Sequence, residues 1–333
     1  MNFAKTIYKE HLEEISGLYV QRTRFTADNG TNFQDADNIE QRLEAHIDAL
    51  ICGGSAAAEI CSKPDDSGEI FGAASVFCRQ NQIDFVKQVL QKFDNNNVKQ
   101  EKALATACAL YMPEQWHNDP DISAFIKKSE TKDKTVPEII KTGLDGIPGK
   151  IPVLIEKLSL AESSEHAAFG LNLITGADLF EEVFIPDKID KDMLFEDELE
   201  KLKKGEPLYP LGKEPGENIT RLSQNPETWQ IFWEDNKNRF DPNSRYRNGK
   251  LYCPACLVEN LKSEIYPNYI RKLVNQELVL GYNIKVPFDT SMLVQDQLKA
   301  INELETIIKD TKDKFESGKW YVNGKLKQPD GEI

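Results

Sequence analysis

Apolar positions recur at helical spacing through the first half of the chain. DNIEQRLEAHIDALICGG sets Ile39, Leu43, Ile47, Leu50 and Ile51 on one stripe, with Gly53 as its cap. DDSGEIFGAASVFC opens with Asp66 and Glu69 at capping-box spacing. QIDFVKQVLQKFDNNN aligns Ile83, Val86, Leu90 and Phe93, and VKQEKALATACALYM is halted by Pro113. In DPDISAFIKK, Asp119 reads as the N-cap and Pro120 as the first helical residue, above a face of Ile122, Phe125 and Ile126. TVPEIIKTGLDG offers a second capping box, Thr135 with Glu138, and IPVLIEKL and SSEHAAFGLNLITG follow. Helices this narrow bury a continuous apolar layer only when stacked, so the pattern predicts an all-α fold of stacked helical hairpins, an α-solenoid; a compact bundle is the competing arrangement.

The texture changes near Gly176. From there to about Arg221, periodic apolar runs give way to Pro, Gly and charge, which predicts an irregular insertion with one short charged helix near Glu196–Lys204. Order returns at NPETWQIFWEDN, where Asn225 caps, Pro226 starts the helix, and Trp229, Phe232 and Trp233 share a face. Two closing helices are expected, from Pro254 and over Thr290–Ser317, followed by a hairpin turn at Asn323-Gly324. The expected division is a helical-repeat region over 1–175, the charged insertion over 176–224 and a C-terminal helical region over 225–333.

Composition narrows the partners. The 333 residues carry a formal net charge of −14. Duplex nucleic acid and anionic membranes need a basic face, so neither is expected, whereas a basic protein is. No stretch reaches the apolar length of a membrane span, and the first twenty residues lack the apolar core of a signal peptide, so the expected location is cytoplasmic. There the six cysteines would be reduced. Cys52, Cys61, Cys78 and Cys108 sit singly in apolar runs and read as small core residues.

Candidate chemistry is sparse. LYCPACLVEN carries Cys253 and Cys256 with Pro254 at a helix start, a spacing that suits half a zinc site or a redox pair. The second ligand pair that zinc needs is missing, and no βαβ pattern surrounds the motif. Cys256 then reads as facing inward with Leu257 and Leu261, while Cys253 caps. No nucleophile elbow, phosphate loop or dinucleotide fingerprint occurs. No catalytic residue, metal or cofactor is therefore expected. His46 reads as a packed histidine, and Glu196, Asp197, Glu198 and Glu200 as a solvated, acidic helix face.

Three segments carry a resemblance. Arg42, Leu43, Ala45, His46, Ile47, Asp48 and Leu50 form the first; Ile174, Thr175, Gly176, Asp178 and Leu179 the second; Arg239, Phe240, Arg245, Tyr246 and Gly249 the third. In this order they resemble the markers of a bacterial HEAT-like helical-repeat family encoded near type VI secretion clusters. The resemblance implies a repeat fold without catalytic residues. It also implies an immunity protein that binds and neutralises a cognate effector toxin. An adaptor that hands an effector to the secretion spike is the alternative, and a thiol enzyme using Cys253 and Cys256 a third reading. Partner contact is expected from Trp116, Trp229, Trp233 and Tyr246 and from the acidic run at Glu196–Glu200, with core packing as the aromatics' other role.

Overall fold

A computed structural model describes residues 3–26, 32–92, 97–130, 136–187, 196–209 and 215–327, with backbone alone at 91–92, 127–130 and 196–198. It is mostly helical, with fifteen α-helices and six short strands among the described residues. The chain divides into two compact units, Met1–Thr135 with Cys253–Ile333, and Val136–Tyr252.

The first unit begins with α1 (Phe3–Thr26), α2 (Asp37–Cys52), α3 (Gly54–Cys61), α4 (Ser67–Arg79), α5 (Ile83–Lys92), α6 (Val98–Tyr111) and α7 (Pro120–Glu130). Helix α4 is its centre. Every residue from Gly68 to Cys78 is buried, because α1, α2, α3, α5 and α6 all pack on it. A helix apolar on all sides needs such a sleeve. Asp66 starts it, accepting from the Glu69 amide, while the Glu69 carboxylate accepts from the Asp65 amide. Asp119 likewise accepts from the amides of Asp121 and Ile122 at the start of α7. At the end of α2, Gly53 is right-handed, and the positive φ falls on Gly54, which opens α3.

The same unit resumes with α13 (Pro254–Lys262), α14 (Asn268–Tyr282) and α15 (Val294–Asp310). Sequence periodicity predicts two closing helices; the structure has three, because Pro267 forces a new start. Two buried arginines tie this part to the first helices. Arg22 Nε lies 2.8 Å from Glu40 Oε1, and its other end donates to the carbonyl of Ser291. Glu40 also accepts from the amide of Val294, the first residue of α15. Burial raises the Glu40 pKa, and Arg22 opposes the rise. Arg271 donates to Leu261 O, Asn268 Oδ1 and Gln297 Oε1, with its guanidinium 3.5 Å from the Phe33 ring centroid. Burial pulls its pKa down to about 9.

The second unit holds α8 (Glu138–Asp145), α9 (Ile151–Lys157), α10 (Ser164–Thr175), α11 (Glu196–Lys204) and α12 (Pro226–Asn236). Helix α8 starts after Pro137 without a side-chain cap; Thr135, expected to cap it, lies outside the described residues. Helices α8 and α10 meet at Gly143, where a Cβ would stand 2.4 Å from Gly170 Cα; the pair admits a backbone contact that any side chain would block. The segment expected to be irregular contains two strands. β1 (Phe180–Pro186) and β2 (Gly216–Leu222) pair antiparallel over seven residues, from Phe180↔Leu222 to Pro186↔Gly216.

One local structure occurs in both units. Tyr246-Arg-Asn-Gly-Lys-Leu251 and Tyr321-Val-Asn-Gly-Lys-Leu326 each form a two-residue hairpin, β3 (Tyr246–Arg247) with β4 (Lys250–Leu251) and β5 (Tyr321–Val322) with β6 (Lys325–Leu326). Asn248, Gly249, Asn323 and Gly324 all have positive φ, as the tight primed turn requires. Each turn then caps a helix. The amides of Asn248 and Gly249 donate to Leu173 and Ile174 of α10, and those of Asn323 and Gly324 to Leu280 and Gly281 of α14. These are the end carbonyls that a helix leaves unsatisfied. The hydroxyls of Tyr246 and Tyr321 accept from the amides of Asp241 and Glu316, five residues back in both cases. Phe240 and Phe315 sit edge-on to them, at 4.9 and 5.2 Å. The partner helices match too: α9 packs on α10 and α12 as α13 packs on α14 and α15. We read the two as copies of one helix–helix–helix–hairpin unit.

Candidate functional site

Three of the aromatics expected at a partner interface are enclosed. Trp116 is 3 % exposed and donates through Nε1 to Asn81 Oδ1; Trp229 is 1 % exposed and donates to Ser223 O. Tyr246 is buried in its hairpin motif. In this conformation they offer no surface to a partner, and their rings serve the core. Trp233 is half-buried against Phe240. In α11, Glu200 is exposed and pairs with Lys204 at 3.5 Å, while the side chains of Glu196, Asp197 and Glu198 lie outside the described residues.

Exposed large apolar side chains are scattered over the chain, from Phe3 to Leu326, and three of them fall together on the β1–β2 pair. Phe180 is 48 % and Phe184 45 % exposed on one face, with Glu182 between them, and Ile185 adjoins. On the other face Glu181 holds Arg221 across the strands at 2.9 Å. No third strand joins this sheet among the described residues, and α10 packs against β2. The sequence signal was Phe180, Val183 and Phe184 amid carboxylates, which alone does not reveal a strand whose mate lies some thirty residues away.

The cysteines fall into three environments. Cys61, Cys78 and Cys108 are core residues, as their apolar settings suggest, and burial pushes the Cys61 thiol up to about 12. Cys52 differs: it is exposed, because it falls on the outer side of α2, away from the stripe of Leu43, Ile47 and Leu50. Cys253 is half-buried at the N-cap of α13 and Cys256 is buried one turn on, with their Sγ atoms 3.3 Å apart. The hydrogen bond from Cys256 holds the Cys253 thiol down at about 6, with help from the amides of Cys256 and Ala255. The same bond, with burial, pushes the Cys256 thiol up. Cys253, Pro254 and Ala255 form one wall of a cavity of about 380 Å³, closed by residues of α15 and the segment up to Ser317.

Two histidines meet between α1 and α2, with His11 Nδ1 2.9 Å from His46 Nδ1. Among the described residues no group of three His, Cys, Asp or Glu side chains is placed to hold a metal ion, and no helix is long and apolar enough to cross a membrane.

Fold and site together define a mostly helical protein with an exposed apolar hairpin and one polarised thiol pair. No family model matches the chain, and the comparisons with curated proteins and solved structures found no match.

Proposed function

We propose that the chain is a non-enzymatic binding protein that neutralises a basic effector toxin of type VI secretion inside the producing cell. The observation that carries this is the β1–β2 hairpin: Phe180, Phe184 and Ile185 stand exposed beside Glu182 and Glu217 on a chain of net charge −14. Exposed apolar clusters with a charged border suit a protein partner. The acidic excess speeds encounter with a basic one, and the aromatics supply the affinity after contact. The same reading takes the helices as HEAT-like hairpins. Some neighbours in sequence pack together, α1 with α2, α4 with α5 and α6 with α7, while α4 also packs on α1 and α6 across intervening helices. The copied helix–hairpin unit adds a repeat in the later part of the chain. The sleeve around α4 departs from a strict stack.

Co-expression with the toxin domain of the neighbouring effector tests the proposal. Cells should survive with the wild-type chain and die with a Phe180→Ser, Phe184→Ser variant that is equally abundant. Equal killing with and without the wild-type chain rules the neutralising role out.

A further inference from the structure

The thiol pair has a feature that packing does not require. In the two copies of the helix–hairpin unit, Pro152 and Pro254 both stand in the first turn of their helix. Counting from them, Cys253 matches Ile151 and Cys256 matches Leu154, both of which are buried. Aliphatic side chains therefore serve these positions in one copy, and the other replaces both with thiols. The replacement also comes with access. Cys253 is half-buried and borders the cavity, with Val258, Ile308 and Phe315 as apolar lining and Lys309, Lys312 and Glu305 as charged lining. That size falls within the range of small-molecule and peptide pockets.

We propose that Cys253 and Cys256 form a redox-active dithiol that exchanges with disulfides carried on peptides, the cavity receiving the residues beside the cystine. The inference does not rest on the binding function above, and it adds thiol chemistry to a chain read there as non-enzymatic. Cys253 is the attacking sulfur, because it is the accessible one and sits where helix amides and the helix dipole favour a thiolate. Its Sγ bonds to one sulfur of R–S–S–R′, and R′–S⁻ leaves and takes a proton from water. Cys256 then attacks Cys253 Sγ. The mixed disulfide breaks, R–S⁻ departs with the proton Cys256 gives up, and a Cys253–Cys256 disulfide remains. The peptide disulfide has gained two electrons and the dithiol has lost two; a thiol reductant restores the dithiol. The second step needs little movement, since the sulfurs already stand 3.3 Å apart against a bond of about 2.05 Å.

The test uses the full chain in a Cys52→Ser background, which removes the exposed competing thiol. Alkylation of Cys253 by iodoacetamide, followed by peptide mass against pH, should give a half-point near about 6 rather than the about 8.5 of an ordinary cysteine. Oxidised glutathione and insulin are then offered as disulfides. Cys256→Ser should trap a mixed disulfide on Cys253, and Cys253→Ser should trap none. Reaction with glutathione alone confines the pocket to short peptides, and reaction with insulin extends it to protein disulfides; both uphold the proposal. Circular dichroism checks each fold, and Cys256→Ala stands in if the serine unfolds the chain. A folded Cys256 variant that forms no mixed disulfide with either probe overturns the proposal, whatever its alkylation profile.

Discussion

A proton taken up on His46 must be accommodated beside His11, whose Nδ1 stands 2.9 Å from His46 Nδ1. Burial holds the His46 pKa below the usual imidazole value, and His11 and Arg42 push the same way, against Glu14. The unfolded chain takes up this proton near about pH 6.5, the folded chain only at lower pH. The stability linked to His46 is thus fully present above that pH and is lost as pH falls through the folded value. Urea unfolding between about pH 7 and pH 5 should show a falling midpoint, and His46→Gln should flatten the fall. Identical slopes would remove His46 from the account. His46 was legible as a packed histidine, but its partner, thirty-five positions away, was not. The same holds for Arg22 with Glu40 and Val294: charges on separate helices look solvated in a sequence until the helices pack together.

At the scale of elements, local chemistry was readable where it was self-contained. Asp66, Asp119 and Asn225 cap as their spacing implies, and Asn323-Gly324 makes the expected turn. Pairing across long stretches was not, so β1 and β2 read as irregular chain. The copied Tyr-x-Asn-Gly-Lys-Leu motif was on the page of the sequence, but its meaning lies in the helix end each turn covers. Gly249 tests that meaning. It has φ +71°, and an added Cβ would lie 2.5 Å from the carbonyl oxygen of Thr175. Gly249→Ala should cost about 2 kcal/mol or more from left-handed strain and this clash, read as a lower thermal midpoint. Lys250→Ala, on the exposed strand beside it, should cost little. Equal effects of the two would mean that the turn does not hold α10.

For the whole molecule, a charge of −14 and exposed aromatics on β1 are the basis of the binding proposal, while most of the large aromatics first considered serve the interior. Composition gives the sign of the charge expected of the proposed partner. It could not give the docking face, because Trp and Phe look alike in a sequence whether they fill a core or face water. The acidic balance also makes association salt-dependent, chiefly through its rate. The most direct measurement is equilibrium binding of the purified chain to the purified toxin domain of a basic type VI effector, the partner proposed above. The wild-type chain should form a stoichiometric complex, and the Phe180→Ser, Phe184→Ser variant should bind about thirtyfold or more weakly, the loss of roughly 2 kcal/mol typical of a hot spot. No complex with the wild-type chain, or equal affinity of the two, would contradict the account.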